Sequence, residues 1–400
     1  MIRAAIIGGG IGGLATAIAL RRAGVAVDIY EQAPAFVEIG AGIGVFPNAM
    51  RVLDQFGLRP AVERRGYQQT GLRFYRWQDG RVISAASFED SEEAFGAPYF
   101  TMHRAHLLEA LLGAVPTECL HLEHCLESLE QDGRGVRLSF ANGKRVTADV
   151  VLGADGIRSP TARLVGIATR SHASGYAAYR TVVPVERVEH LQLDEFGSVW
   201  LGPGKHFAHF WIDRGRLLNV ICYVHSPRDE VDSWTAVGDI QVARAFYADW
   251  HPTVRGILDA ADQALLFGLY DRPARREWHA GRVALVGDAA HPMLPFYAQG
   301  AAQAIEDAAS LGVLLAERFS DEVPSMLACY SALRCERVRR VQEIARSYAV
   351  VNNYPDGPEQ EERDRRLGDP SNNAFAASGW LYGHDAVLAA QTAILSWRSS

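Results

Sequence analysis

Gly8-Gly9-Gly10-Ile11-Gly12-Gly13 follows the apolar run Ile2 to Ile7 and leads into Leu14 to Ala23, which ends at Gly24. This reads as strand, tight turn and helix. In the spacing Gly8-x-Gly10-x-x-Gly13, the first glycine allows the turn and the second lets a diphosphate approach the backbone. The third lets helix and strand pack closely. The diphosphate then sits on the unpaired N–H groups of the helix N-terminus, where the macrodipole favours negative charge. Val25 to Tyr30 reads as a second strand ending at Glu31, 18 residues past Gly13. A carboxylate there accepts hydrogen bonds from both ribose hydroxyls and repels a 2′-phosphate, which points to FAD or NAD rather than NADP in this site. Ala4 to Leu20 is uncharged and follows Arg3, a faint likeness to a signal peptide. Five glycines within it make a poor apolar helix, and no small-residue cleavage site follows.

Two further segments extend the pattern. Thr147 to Leu152 reads as a strand entered from a hairpin (Val136 to Phe140, then Lys144 and Arg145), and Gly153-Ala154-Asp155-Gly156 turns at its end. Val283 to Val286 reads as another strand, turning at Gly287-Asp288. Ligands of open parallel sheets bind at that carboxyl edge. A long helix is expected over Ala301 to Arg318, with Ile305, Ala308, Leu311, Leu314 and Leu315 on one face. Its N-terminus, placed against a flavin ring, would stabilise the anion of the reduced isoalloxazine. Each segment alone reads as an ordinary turn; in this order they fit together as one flavin site.

Bulk properties suit a cytoplasmic enzyme. Four hundred residues suggest two intertwined domains, 48% hydrophobic content is ample for a core, and a net charge of −7 without a basic stretch argues against nucleic acid. No run of apolar residues free of glycine is long enough to span a membrane. The five cysteines form no Cys-x-x-Cys pair and read as reduced thiols. His121, His124 and Cys125 lack the second half of a metal site, so no metal is expected.

With these three motifs, the chain resembles the single-component FAD-dependent aromatic hydroxylases. That group has the para-hydroxybenzoate hydroxylase fold and includes the salicylate and 6-hydroxynicotinate enzymes. The resemblance spans roughly Ile2 to Tyr382. It implies an α/β fold: a three-layer Rossmann-like FAD-binding domain (1–70, 99–176 and 270–325), interleaved with a mixed or antiparallel-sheet substrate domain (71–98 and 177–269). C-terminal helices and a tail (326–400) complete it. By the same resemblance, Gly8, Gly10, Gly13 and Glu31 hold the ADP half of FAD. Gly40-Ala41-Gly42-Ile43 and Pro47-Asn48-Ala49-x-Arg51 form a flavin-proximal loop and helix, with Arg51 beside the cofactor. Arg104 contacts the ribityl and diphosphate region, Asp155 serves FAD and pyridine nucleotide, and Asp288 bonds the ribityl chain. Pro295, Gln299, Gly300 and Ala301 border the ring.

The family's substrate sheet roofs the flavin, and stretches such as Ser198 to Ile212 and Leu217 to His225 alternate as such a sheet requires. Gly202-Pro203-Gly204-Lys205-His206 resembles the turn and strand start that point His206 and Phe210 into the pocket. Phe210 replaces a frequent Tyr, and Gly44 stands where the 6-hydroxynicotinate enzymes carry a histidine, so a less polar pocket is expected. In this family NADH or NADPH reduces FAD, O₂ adds to give a C4a-hydroperoxide, and oxygen passes to an electron-rich ring carbon. His206 is the candidate for orienting or deprotonating the substrate hydroxyl; His209 and Tyr223 are weaker candidates, and His291 is expected to support its turn. No second glycine fingerprint follows a later strand, so nicotinamide binds transiently. Two alternatives stay open: a dehydrogenase, oxidase or epoxidase on a bulkier apolar substrate, and a non-catalytic flavin-binding protein. Tyr354 to Pro370 is expected as an exposed loop, and Trp380 to Asp385 is expected to pack back on the body or to form a dimer contact. Both a monomer and a homodimer are compatible with the sequence.

Overall fold

The computed structural model describes residues 2–36, 41–226, 237–316, 318–369, 371 and 377–398. Gly40 of the expected flavin-proximal loop lies outside them. The central sheet is six-stranded. Arg3–Ile7 pairs in parallel with Ala26–Tyr30 on one side and Val150–Gly153 on the other, and Val150–Gly153 pairs with Val283–Leu285. Short strands Leu120–His121 and His279–Ala280 close the edges. The inner strands are buried almost throughout, because layers cover both faces.

One covering layer is helical. Ile11–Arg22 packs against Gly300–Leu315 through small residues; a Cβ at Gly312 would lie 3.0 Å from that of Ala19. The other layer is an antiparallel sheet of Leu126–Gln131, Val136–Phe140 and Arg145–Ala148. Its Val136, Leu138 and Phe140 pack on Ala5, Ile7, Tyr30, Val151 and Val283. This is the expected three-layer α/β arrangement. The single strand expected over Thr147 to Leu152 is instead two strands in different sheets. The chain changes layer at Asp149, whose carboxylate accepts the Arg3 N–H at 2.8 Å.

An eight-stranded mixed sheet stands over the carboxyl edge. Its order is Val237–Gly238, Ala264–Asp271, His172–Pro184, Leu217–His225, Lys205–Ile212, Gly197–Gly202, Gly71–Arg76 and Val82–Ser87. Period-two alternation splits its side chains. One face packs Trp200, Phe207 and Cys222 against Tyr247, Trp250, Val254 and Ile257 of the helical segment beyond. The other face carries His206, Ala208, Phe210, Ile221 and Tyr223.

The C-terminal helix Val323–Val351 runs 29 residues. The loop expected over Tyr354 to Pro370 contains the helix Pro358–Gly368. Its signals stand in the sequence: Pro at N1, Glu359 and Glu361 in the first turn, Arg365 and Arg366 in the last. Polarity had masked them, because this helix buries an Arg363–Asp364 ion pair rather than an apolar stripe. The tail does pack back: Arg340 lies 3.8 Å over the Trp380 ring, and Tyr382 stacks on Phe46. Among the described residues no helix is long and apolar enough to cross a membrane. His121 sits 2.8 Å from Asp28 and stacks on Tyr30, and His124 packs edge-on to Phe140.

Candidate active site

The Gly-rich turn is held by backbone contacts that only glycine permits. A Cβ on Gly13 would lie 2.0 Å from the Gly8 carbonyl oxygen, and one on Gly8 (φ +103°) would lie 2.4 Å from that of Ala154. The first motif therefore packs directly on the second. A Cβ on Gly10 would meet nothing within 4 Å, so the backbone there is approachable. The helix Ile11–Arg22 begins with no capping side chain and no acidic residue in its first turn, which leaves its N–H groups and dipole available to an anion. Glu31 is fixed beside this turn; its carboxylate accepts the Gly9 N–H at 2.7 Å and the Ala33 N–H at 2.9 Å.

The other two motifs meet at the same edge. Asp155 accepts the Thr161 N–H at 2.8 Å through Oδ2, while Oδ1 has no partner among the described residues. Burial raises its pKa, and hydrogen bonds from Ser159 and Thr161 work the other way. Arg272 ties the segments together: it donates to the Ile157 carbonyl, to Ser171 Oγ at 3.0 Å and to the Ala289 carbonyl at 3.4 Å. Asp288 is exposed, 4.0 Å from where a Cβ on Gly300 would stand. The helix Gly300–Leu315 also starts without a side-chain cap. An approachable Gly10, two uncapped helix starts, an unpartnered Asp155 oxygen and an exposed Asp288 fit a dinucleotide laid across this edge.

Behind that helix lies a buried ionic network that pattern reading missed. Glu306 and Asp307 are fully buried. Arg334 donates to Glu306 at 2.6 Å and to Asp307 at 2.8 Å, and Arg337 donates to Glu306 at 2.7 Å. Burial opposes the Glu306 charge, but the two guanidinium groups outweigh it and hold its pKa well below the carboxylate range. Asp307 also accepts the Gly287 N–H at 3.0 Å and bonds His291 at 2.6 Å, so His291 supports the Gly287-Asp288 turn. Asn48 joins Glu306 at 2.6 Å to Gln299 at 3.2 Å and carries the network to the N-terminal end of the helix. The signal was present as Glu306 and Asp307 among apolar helix positions, but acidic residues inside a helix ordinarily read as a solvated face.

The eight-stranded sheet turns one face toward this edge. Asn219 accepts the Gly42 N–H at 2.6 Å, and a Cβ on Gly42 would lie 2.6 Å from the Phe210 ring. His206 lies across from Tyr223, stacked at 4.4 Å, with Phe296 beside both at 5.2 and 5.0 Å. The segment Leu294 to Tyr297, including Pro295, therefore packs toward the same face. His206 is buried, and burial pushes its pKa down to about 4. Asn353 donates to the Ala349 carbonyl at 2.7 Å, which turns its Oδ1 toward His206 Nδ1 at 2.9 Å. His206 Nδ1 then carries the hydrogen, and Nε2 keeps a lone pair.

A scan of protein families matches a family described as an FAD binding domain over residues 1–345. The chain belongs to this family. It is 38% identical over 96% of both chains to a 3-amino-4-hydroxybenzoate 2-monooxygenase of Streptomyces platensis. It is 33% identical to a 6-hydroxynicotinate 3-monooxygenase of Bordetella bronchiseptica, over 88% of this chain and 94% of the relative. A salicylate hydroxylase solved with its substrate superposes with a TM-score of 0.84, at 25% identity over 98% of each chain. The protein is an FAD-dependent aromatic monooxygenase.

Within this monooxygenase the glycines, Glu31, Asp155, Asp288, Gln299, Gly300 and Ala301 gather along one edge. Arg104 begins the helix Arg104–Leu112, its N–H bonded to the Ala41 carbonyl beside Gly42. Two residues lie elsewhere. Arg51 turns away into the tail, donating to the Gly383, His384 and Phe95 carbonyls, because its helix presents that position to the C-terminal segment. His209 faces the opposite side of the sheet, with the Trp200 indole donating to it at 3.3 Å; an odd offset from His206 dictates this. At Gly44 a Cβ would stand 2.8 Å from Phe46 and 3.1 Å from the Tyr99 hydroxyl, so stacked aromatics crowd this position. Sequence reasoning missed Arg180, which shares the face of Tyr223 and belongs to no motif.

Proposed function

We infer that this enzyme uses NADH or NADPH and O₂ to hydroxylate a small hydroxylated aromatic or heteroaromatic acid. The observation that carries this reading is a buried His206 held through Nδ1 by Asn353, so that Nε2 keeps its lone pair, on a sheet face joined directly to the Gly42 loop. Relatives named for 3-amino-4-hydroxybenzoate and 6-hydroxynicotinate support a hydroxy acid. Bound FAD supplies the oxygen activation and transfer. The chain's residues hold the ring, exclude water and orient its hydroxyl.

The low basicity of His206 refines its role. Moving a proton from a phenol of pKa about 10 to an imidazole of pKa about 4 is uphill by roughly 8 kcal/mol. His206 therefore orients the hydroxyl through a hydrogen bond rather than taking its proton, and Tyr223 and Phe210 shape the aromatic slot beside it. Five free cysteines support a reducing, cytoplasmic setting. The test is anaerobic reduction of the yellow holoenzyme by NADH and by NADPH with a panel of aromatic acids. Marked acceleration by one hydroxy acid, followed by its hydroxylation in air, is expected. Equal reduction rates with every ligand, and no hydroxylated product, would remove the reading.

A further inference from the structure

Gln299 is 1% exposed and stands immediately before the helix Gly300–Leu315, whose start lies beside Asp288 on the strand edge. The direction of its side-chain amide is decided by groups that leave no choice. Glu306 is buried and held as an anion by Arg334 and Arg337, so its carboxylate only accepts; it takes a hydrogen from Asn48 Nδ2 at 2.6 Å. The Arg334 guanidinium only donates, and it donates to Gln303 Oε1 at 2.9 Å, which turns Gln303 Nε2 the other way. Asn48 Nδ2 and Gln303 Nε2 then both meet Gln299 Oε1, at 3.2 and 3.3 Å. Turning the Gln299 amide over would set its N–H groups against these two donors. Its Oε1 is therefore held inside the network, and its Nε2 points out of it.

That outward Nε2 is buried and has no hydrogen-bond partner among the described residues. Asn48 Oδ1, in the amide bonded to it, has none either. A buried donor left without an acceptor is costly, and deep networks are ordinarily satisfied. The isoalloxazine ring carries what both atoms lack, since its pyrimidine edge has two carbonyl oxygens with an N–H between them. The carbonyl side of that ring also takes up negative charge on reduction. A donor aimed there, at an uncapped helix start, meets the charge where it develops.

We propose that Gln299 Nε2 donates a hydrogen bond to a carbonyl oxygen of the flavin's pyrimidine ring, with Asn48 and Gln303 as the residues that position it. The ionic network of Glu306 and Arg334 thereby fixes a donor at the cofactor and favours its reduced form. The assignment concerns the bound FAD and is independent of which aromatic compound the enzyme hydroxylates.

The test is the two-electron reduction potential of the flavin in the holoenzyme without substrate, measured by equilibration with a reference dye. Gln299→Met keeps the length of the side chain and loses the donor. Its preference for reduced over oxidised flavin falls about 10-fold, a potential lower by about 30 mV. Gln299→Glu has nearly the native shape and decides the matter if Gln299→Met yields no yellow protein. Protonated, its outward oxygen donates as the amide does; ionised, it repels the reduced ring. Its potential therefore falls away from that of wild type between about pH 6 and about pH 9. Gln303→Met lowers the potential by less than Gln299→Met and adds nothing when the two are combined. A wild-type potential in Gln299→Met, with Gln299→Glu parallel to wild type across this pH range, overturns the proposal. Loss of flavin from these variants, with the potential of the remaining holoenzyme unchanged, overturns it equally, because the amide would then only pack. A Gln303→Met shift that persists in full on top of Gln299→Met overturns the positioning role.

Discussion

The strand edge that fits a dinucleotide and the sheet face proposed for the substrate lie against each other but are built by opposite means. At the edge, backbone does most of the positioning: Gly8 and Gly13 are required because a Cβ would strike a carbonyl, and helix starts supply the N–H groups. On the face, side chains do it. His206, Phe210, Asn219, Tyr223 and Arg180 come from three neighbouring strands, placed by register and alternation. A site made of backbone tolerates one residue type at each contact and leaves a local signature. A site made of side chains on a sheet can be altered one residue at a time without disturbing a backbone cradle.

The comparison breaks most readily at the glycines. Gly13→Ala is expected to abolish soluble, yellow protein, because a contact of 2.0 Å with backbone has no room to relax. Gly10→Ala, facing open space, is expected to fold but to retain less FAD. Flavin-to-protein absorbance ratios and melting with added FAD check both. If Gly10→Ala retained wild-type flavin, the diphosphate would not approach there.

Next in size comes the ionic network behind the cradle. Arg334→Ala leaves Glu306 and Asp307 buried without their main counter-charge, and a loss of about 3–5 kcal/mol of stability is expected in urea unfolding. A loss near that of a surface substitution would show that the network is dispensable. His206→Asn tests the face alone. It is expected to reduce hydroxylation about 10- to 100-fold at unchanged FAD content, as removal of one orienting contact does. The wild-type turnover profile is expected to show no ionisation of His206 between pH 6 and 8, roughly two or more units above its pKa of about 4. Unchanged turnover in the variant would end the proposed role.

The pH dependence of stability sharpens the contrast further. Burial pushes His206, His209 and His384 down to about 4. The unfolded chain binds protons at these residues below about pH 6.5, whereas the folded chain does not until near pH 4, so stability falls as pH drops through that window. Melting temperatures from pH 7.5 to 5 should therefore decline, and a flat profile would contradict their burial as neutral groups. The smallest effect is expected from His209→Gln. It removes one indole hydrogen bond on the far side of the sheet, at a cost of about 1 kcal/mol, and leaves ligand binding unchanged.

The chain's linear order determined the cradle. Gly8-x-Gly10-x-x-Gly13, Glu31, Asp155 and Asp288 were legible because each answers a local backbone demand at the end of a strand, and the family resemblance rests on them. Helix Pro358–Gly368 and the break at Asp149 were not legible, since buried ion pairs and changes of sheet leave no hydrophobic period. Arg51 was misplaced for a related reason: a helix position says which way a side chain leaves the axis, not which element meets it. Only the tertiary structure brought Arg180, Tyr223 and His206 to one face, turned His209 away, and lowered the pKa of His206 by burying it. Register between strands forty residues apart and exclusion of water are properties of the packed molecule. No single segment carries them.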